Sequence, residues 1–195
     1  MKKIEKLLTI GLAVLLMLCM SISLLGCEQS ESKTESLQFQ QIEGKQEYSV
    51  IGLGSVSGTN ITIPNTFNGL PVTSIGDSAF ENCTNITNVA IPNSITNIGD
   101  CAFWDCARLT NCSIPNSVKN IGDYAFAHCK RLTNITIPNS VISMGWCVFR
   151  DCTSLSIIYC EAERKPDHWE NDWNVQYDPV GSDKVFFAVE WGYGN

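Results

Sequence analysis

The stretch Ile114 to Thr136, IPNSVKNIGDYAFAHCKRLTNIT, decides the fold of this chain because it is one copy of a repeat. The 23 residues before it, Ile91 to Ser113, read IPNSITNIGDCAFWDCARLTNCS, and the chain continues from Ile137 as IPNSVISMGWCVFRDCTSLSIIY. Upstream, Ile63 to Ala90 has the same frame with five additional residues. A constant period of roughly 20 to 29 residues is typical of a solenoid, whose copies bury their apolar sides only by stacking.

Equivalent positions of the copies are apolar throughout, while the positions between them vary. This pattern predicts side chains that point into one continuous core. The columns are the aromatic Phe80, Phe103, Phe126 and Phe149; the cysteines Cys83, Cys106, Cys129 and Cys152; Ile75, Ile98, Ile121 and Met144; Ile86, Leu109, Leu132 and Leu155; Val89, Cys112, Ile135 and Ile158; and Ile63, Ile91, Ile114, Ile137 and Cys160.

The end of each copy alternates with the period of a strand. Ile135 and Ile137 are predicted to point inward and Asn134 and Thr136 outward. Pro138 then closes the strand because it has no N–H group to donate to a ladder.

A second extended piece, Val118 to Ile121, leads into a predicted turn at Gly122. Asp123 suits the N-cap of a short helical turn, where its carboxylate would accept backbone N–H groups. Asp77 and Asp100 hold the same place in other copies, whereas Trp146 breaks the rule in the last copy.

The frame LxxIxIPxSVxxIGxxAFxxC, seen here as LTNITIPNSVISMGWCVFRDC from Leu132 to Cys152, resembles the BspA-like leucine-rich repeats of bacterial surface proteins. The match covers about Tyr48 to Cys160. The resemblance implies a repeat solenoid, mainly β with short helical or 3-10 turns. It further implies a curved right-handed superhelix with a parallel sheet on one face and short caps at both ends.

The N-terminal residues 1–26 are interpreted as a lipoprotein signal peptide. Three lysines precede an apolar run from Leu7 to Leu25, and the quartet Leu24-Leu25-Gly26-Cys27 looks like a lipobox that would place a lipid on Cys27. An uncleaved membrane helix is the alternative, because the apolar run is about long enough to span a bilayer. Both interpretations place the domain outside the cytoplasm, anchored to the bacterial membrane and exposed at the surface.

The next segment, 27–47, is polar and is predicted to be a flexible linker. The repeat domain is assigned to 48–160 with about four to five coils, beginning in a small β-cap from Tyr48 to Ile63. Asn68-Gly69 is read as a tight turn. The remaining 161–195 form a C-terminal cap, in which Trp169, Trp173 and Trp191 cover the last coil or, alternatively, form an exposed aromatic patch.

The net charge bears on the possible partners of the chain, and the cysteine content bears on its possible disulfides. The net charge of −7, or about −9 without residues 1–26, argues against nucleic-acid binding. Ten cysteines in a secreted chain would usually suggest disulfides. Cysteines stacked in a repeat column point in parallel, however, which makes disulfide torsions hard to reach, so buried free thiols are expected. Cys101 and Cys147 lie two coils apart and should not pair.

The sequence contains no pattern that predicts catalysis. His128 next to Cys129 is an isolated pair, expected to be a surface side chain and a buried thiol and not a zinc ligand or a nucleophile. Gly52-Leu53-Gly54 lacks the rest of a dinucleotide motif. No catalytic residue, metal site or cofactor is therefore predicted, and the chain is expected not to be an enzyme.

The remaining candidate is a surface of outward strand positions, which solenoids use for binding. The predicted binding residues are Asn88, Asn111, Ser113, Asn134, Thr136 and Tyr159, together with Trp104 as an aromatic anchor. Packing of Trp104 against the next coil's turn is the alternative. The family resemblance implies adhesion, so we expect a monomer that binds a protein or host-surface ligand and attaches to the membrane through Cys27. An envelope-organising or solute-capturing lipoprotein is the alternative function.

Overall fold

The computed structural model describes residues 37–54, 58–177 and 184–194, in which the regular elements are short strands joined by turns. The strands are β1 Gln38–Gln41, β2 Tyr48–Gly52, β3 Asn60–Thr62, β4 Thr66–Phe67, β5 Leu70–Ile75, β6 Asn88–Ala90, β7 Asn97–Ile98, β8 Asn111–Ser113, β9 Asn120–Ile121, β10 Asn134–Ile137, β11 Ser143–Met144, β12 Ile157–Cys160, β13 Val175–Tyr177, β14 Lys184–Phe186 and β15 Ala188–Trp191. Within these ranges no helix is long and apolar enough to cross a membrane.

The strands stack in two parallel series. The sequence led us to expect a parallel sheet on one face. The first series runs β2-β5-β7-β9-β11, with β1 added antiparallel at its start. The second runs β3-β6-β8 and β10-β12-β15, in which each strand pairs in register with its equivalent, as Asn88 does with Asn111. Strand β10 lies beside β8, so the second series continues through the repeats. Strands β13 and β14 form a separate antiparallel hairpin.

The core contains nearly all the predicted apolar columns. Rings of the four column phenylalanines are fully buried and stacked, with centroids 5.2, 5.1 and 5.8 Å apart. Such spacing gives the two inner rings, Phe103 and Phe126, a favourable neighbour in the coils on both sides. Cys83 and Ile91 depart from the prediction, because both are only partly buried.

The cysteine column consists of free thiols, as predicted, and Cys106, Cys129 and Cys152 are fully buried. Each of these three thiols donates to the backbone carbonyl of a phenylalanine in the preceding coil, over 3.1 to 3.3 Å. These hydrogen bonds satisfy the weak S–H donors of the buried thiols and connect adjacent coils without a covalent bond.

The predicted helical turn after Gly122 is wrong, because the residues from Gly-Asp to the column cysteine form turns that pair between coils. In one copy the N–H groups of Cys101, Phe103 and Asp105 donate to carbonyls of the next coil at 2.8 to 2.9 Å. Cys101 and Asp105 both have φ of 52°, the left-handed region that a helix excludes. Trp104, between them, donates three positions back to the Cys101 carbonyl within its own coil. This side of the solenoid is therefore a third hydrogen-bonded ladder.

The aspartate column also has a different role from the predicted N-cap. The Asp77 carboxylate accepts the N–H of Asp100 at 2.9 Å, and the Asp100 carboxylate accepts that of Asp123 at 2.8 Å. Asp123 in turn accepts the N–H of Trp146 at 2.7 Å. Each aspartate therefore holds the coil that follows, and Trp146 ends the series because it has no acceptor to offer.

The flexible linker was predicted to extend to residue 47, but the fold begins before that residue. Gln38–Gln41 pairs antiparallel with Tyr48–Gly52, so the described residues before Tyr48 form a hairpin that begins the fold. Glu47 also accepts a hydrogen bond from the Thr73 hydroxyl at 2.9 Å. The sequence prediction failed here because the segment has a single large aromatic side chain, Phe39, which stacks on Phe67 at 4.2 Å. Residues 1–36, including the signal peptide and Cys27, lie outside the described residues.

Two smaller predictions are confirmed. Asn68 and Gly69 have φ of 50° and 77° and join β4 to β5 as a two-residue hairpin. Trp169 and Trp173 are 3% and 2% exposed at the C-terminal end, as the capping interpretation requires, while Trp191, the third predicted cap residue, is only partly buried. The Trp169 indole N–H donates to the Val141 carbonyl at 3.2 Å, which satisfies its buried polar atom.

Candidate interaction surfaces

The outward side of the second strand series contains all the strand residues that were predicted to bind. Asn88, Asn111, Ser113 and Asn134 are exposed on β6, β8 and β10. Because the strands are parallel and in register, equivalent side chains form rows across neighbouring coils. Small side chains at these positions leave the surface open to a ligand along several coils.

Thr136 and Tyr159 differ from this group, since both are partly buried. They are paired in register between β10 and β12. The Tyr159 ring lies 4.4 Å from the Tyr193 ring, centroid to centroid. The strand face is therefore polar at Asn88 and Asn111 and becomes aromatic towards the C-terminal cap.

Four of the predicted residues, Asn111, Ser113, Asn134 and Thr136, line one open groove of about 570 Å³. The strand-face groove also has lining residues that the sequence analysis missed, namely Asn93, Asn116 and Glu161. The asparagines occupy the third position of the repeated Ile-Pro-Asn triplets. Their fixed place after each outer strand was the signal that could have identified them.

Glu161 closes the groove at the start of the C-terminal cap. One of its carboxylate oxygens accepts the backbone N–H of Asn139 at 3.0 Å, which holds the corner of the last repeat against the cap. Apart from the buried Cys112 thiol, Glu161 is the ionisable side chain of this lining. Burial raises the pKa of Cys112 to about 12, so this thiol is protonated at neutral pH. The groove offers amide, hydroxyl and backbone hydrogen-bonding groups, which suit recognition of a polypeptide.

Trp104 lies apart from the strand-face groove, on the turn side of the solenoid. Its ring centroid is 5.3 Å from that of Tyr124 and 4.9 Å from that of His128, both in the next coil. The alternative prediction, packing against the next coil's turn, is therefore confirmed. Trp104 nevertheless stays partly exposed.

The pair His128 and Cys129 does not form a nucleophilic site. The Cys129 thiol is fully buried and donates to the Phe103 carbonyl at 3.3 Å. A hydrogen bond with Cys152 and burial raise its pKa well above the usual range. His128 is partly buried against Trp104, and its Nε2 lies 3.4 Å from Asp151 Oδ2. Across residues 37–54, 58–177 and 184–194, no three histidine, cysteine, aspartate or glutamate side chains are grouped to hold a metal ion.

The repeat with its invariant Phe and Cys columns, its Ile-Pro-Asn corners and its paired outer strands has a direct counterpart among known families. The BspA-type leucine-rich repeat region matches residues 53–165 in six copies. This chain belongs to the BspA-type leucine-rich repeat family. The match counts six copies over 53–165, whereas four to five coils were expected over 48–160.

Solved structures of bacterial leucine-rich repeat proteins share the fold. A leucine-rich repeat protein of T. pallidum is 26% identical with a TM-score of 0.61, and the match covers 69% of this chain and 60% of that one. A leucine-rich repeat protein of Bacteroides capillosus is 29% identical with a TM-score of 0.56, covering 65% of this chain and 94% of that one. This chain thus spans less than two thirds of the T. pallidum protein. No curated protein matches the sequence.

Proposed function

We propose that this BspA-type repeat protein is a non-catalytic binding module of the bacterial cell surface that holds a protein ligand on its outer strand face. The observation that carries the proposal is the strand-face groove, where Asn111 and Ser113 on β8 lie beside Asn134 and Thr136 on the neighbouring strand β10. Leucine-rich repeat proteins commonly use such faces in protein interactions.

The chemistry of the groove supports a polypeptide ligand. Each asparagine amide offers donors and an acceptor, so the rows complement the alternating N–H and C=O groups of a peptide backbone. The side chains stand on hydrogen-bonded strands over a packed core, so little ordering is needed when a ligand binds. The aromatic pair Tyr159 and Tyr193 at one end adds an apolar contact of the kind that dominates interface energies.

The location of the protein is part of the same proposal. The lipobox at Leu24 to Cys27 supports lipidation of Cys27 and anchoring outside the cytoplasm, with the uncleaved membrane helix as the alternative. Mass spectrometry of the protein from its native membrane would show a diacylglyceryl-modified N-terminus at Cys27. A Cys27→Ser variant that still accumulates in the same membrane would support the helix.

The binding proposal is tested with residues 27–195 carrying Cys27→Ser, presented to immobilised, purified matrix glycoproteins and mucins. We expect saturable binding to at least one of them. The double variant Asn111→Arg/Asn134→Arg places two large cations in the groove and should weaken that binding at least tenfold. The matched control Asn85→Arg/Thr153→Arg adds the same two cations at exposed turn positions outside the strand-face groove and should bind normally.

Three outcomes separate the alternatives. Loss in the groove variant alone supports the strand face, whereas equal loss in both double variants would indicate a non-specific charge effect. If the folded protein binds none of the ligands, the adhesion proposal fails and an envelope-organising role becomes the better explanation.

A further inference from the structure

On the turn side of the solenoid, aromatic side chains from three successive coils join in a continuous series. Trp104 contacts Tyr124 at 5.3 Å between centroids, and Tyr124 contacts Trp146 at 5.2 Å. Trp146 is 38% exposed, and Trp104 and Tyr124 are partly exposed. These rings are not needed for the repeat, since the equivalent positions of other copies hold Ala127, Ser78 or an aspartate.

A row of carboxylates runs beside these rings. Asp77, Asp100 and Asp123 are exposed and line a groove of about 350 Å³ that Glu170 also borders and that contains no lysine or arginine. One oxygen of each aspartate accepts the N–H of the next coil, so the row is fixed along the solenoid at about the strand spacing of 4.8 Å. Among the described residues, none of the ion pairs includes these three aspartates.

The carboxylates adjoin the rings along the backbone. Asp123 accepts the backbone N–H of Trp146 and directly precedes Tyr124 in the chain. Cys101, whose carbonyl accepts the Trp104 N–H at 3.0 Å, lies close to the same charges. Burial, and after it the nearby carboxylates of Glu81, Asp100, Asp123 and Asp77, raise the pKa of its thiol.

We propose that this aromatic-acidic strip, composed of Trp104, Tyr124 and Trp146 with Asp77, Asp100 and Asp123, is a second binding surface that takes a lysine- and arginine-rich polypeptide segment. A cation placed over the rings gains from their negative faces, and the groove beside them holds no lysine or arginine to neutralise the carboxylates, its one basic side chain being His168. Like charges held at coil spacing repel each other, and a bound polycation relieves that repulsion. The negative field opposes an anionic membrane or nucleic acid.

The proposal does not depend on the strand-face groove, because the two surfaces share no residue. Its probe is a fluorescein-labelled ten-residue peptide that alternates arginine and serine, with the same peptide carrying glutamine for arginine as the matched control. Fluorescence anisotropy is measured with residues 27–195 carrying Cys27→Ser. We expect binding of the arginine peptide at 20 mM salt, at least tenfold weaker binding at 200 mM salt, and none of the glutamine peptide.

Two pairs of substitutions assign the site. Trp104→Ala/Tyr124→Ser introduces residues that other copies carry at these positions, and Asp100→Asn/Asp123→Asn retains the oxygens that accept the backbone N–H groups. Each double variant should weaken peptide binding at least tenfold. The control Glu163→Gln/Asp167→Asn removes two exposed charges near the C-terminal cap and should change it less than twofold.

Specific results would overturn the proposal. Equal weakening by the cap control would mean that the peptide responds only to overall charge. Full binding by the aromatic double variant, or by the aspartate double variant, would exclude the strip as the site. Absence of peptide binding by the folded protein at 20 mM salt would also exclude the strip. So would salt-sensitive dimers of the protein, seen in sedimentation, that the aspartate double variant abolishes.

Discussion

The α-carbon of Gly122 packs directly against the Asp100 carboxylate of the preceding coil. A β-carbon on Gly122 would overlap that carboxylate and lie 2.6 Å from the Asp100 nitrogen. Gly99 and Gly145 have the same relation to Asp77 and Asp123. The invariant glycine is therefore explained by close approach between coils and not by the sharp turn that the sequence suggested, since its φ is not in the left-handed region.

The first prediction concerns this contact. Gly122→Ala should lower the free energy of unfolding by about 2 to 3 kcal/mol, because backbone atoms of the preceding coil must move to admit a methyl group. Gly69→Ala is the control, since its added methyl meets nothing within 4 Å and only its φ of +77° is unfavourable. Urea denaturation should therefore rank Gly122→Ala as the more destabilising change. An equal effect of the two substitutions would contradict a packing role for Gly122.

The aspartate series should behave as a set of hydrogen-bond acceptors. Asp100→Ala removes the acceptor of the Asp123 N–H and should cost about 1 kcal/mol of stability. Asp100→Asn keeps an oxygen in that place and should cost less than about half as much. Thermal unfolding of both variants checks this order. If Asn and Ala were equally destabilising, the negative charge and not the hydrogen bond would be the stabilising feature.

Stability at alkaline pH should depend on the buried Cys112 thiol. Its pKa rises from 9.0 to about 12 on burial, so above pH 9 the unfolded chain releases a proton that the folded chain keeps. The stabilisation from the protonated buried thiol is complete below pH 9 and is lost as the pH rises towards 12. Cys112→Val, which matches Val89 in the same column, should flatten this loss by about 1 kcal/mol per pH unit.

Urea titrations at pH 8.5, 9.5 and 10.5 would measure that slope. Cys112→Ser is a useful second variant, because it packs less well but also removes the titrating group. Both variants should share the flatter pH dependence although their stabilities at pH 7 differ. An unchanged slope in both would mean that the Cys112 thiol ionises equally in the folded and unfolded chain.

The C-terminal cap is expected to contribute much of the stability of the last coil. Trp169 is 3% exposed, and its ring lies 5.1 Å from that of Trp173 and 5.9 Å from that of Trp191. Trp169→Ala should cost about 3 to 5 kcal/mol, because it leaves a cavity and an unpaired Val141 carbonyl. Tyr193→Ala, at a ring that is 45% exposed, should cost under about 1 kcal/mol.

Hydrogen exchange would identify the backbone amides that lose protection in Trp169→Ala. Loss of protection should be greatest at Met144 and its neighbours, because Glu170 donates to the Met144 carbonyl beside the Trp169 bridge. Protection lost first near β2 and β5 would contradict the assignment of Trp169 to the C-terminal cap.

The sequence was most informative where one side-chain property alternates along the backbone. Phe103, Leu109 and Ile135 each belong to a column that is apolar in every copy. Stacking of the copies buries such a column and removes its side chains from water. The outward direction of Asn111 and Asn134 followed from the same alternation. The sequence therefore predicted both the core and the exposed strand residues of the candidate site.

Other features depended on contacts between coils, which no single copy reveals. The left-handed backbone at Cys101 and Tyr124 is uncommon for residues other than glycine, and the ladder to the next coil stabilises it. Asp123 has the spacing of an N-cap, yet its partner N–H belongs to Trp146, in the following coil. Likewise, Glu161 completes the strand-face groove only because the cap folds back towards Asn139.

Site-specific photo-crosslinking tests the central claim, that the outer strand face binds the protein ligand, most directly. A photoreactive phenylalanine analogue is placed at Asn111 in one protein and at Asn120, on the first strand series, in the other. With a matrix glycoprotein that binds saturably, we predict an adduct from position 111 that unlabelled protein competes away, and none from position 120. Crosslinking from position 120 but not from position 111 would contradict the account.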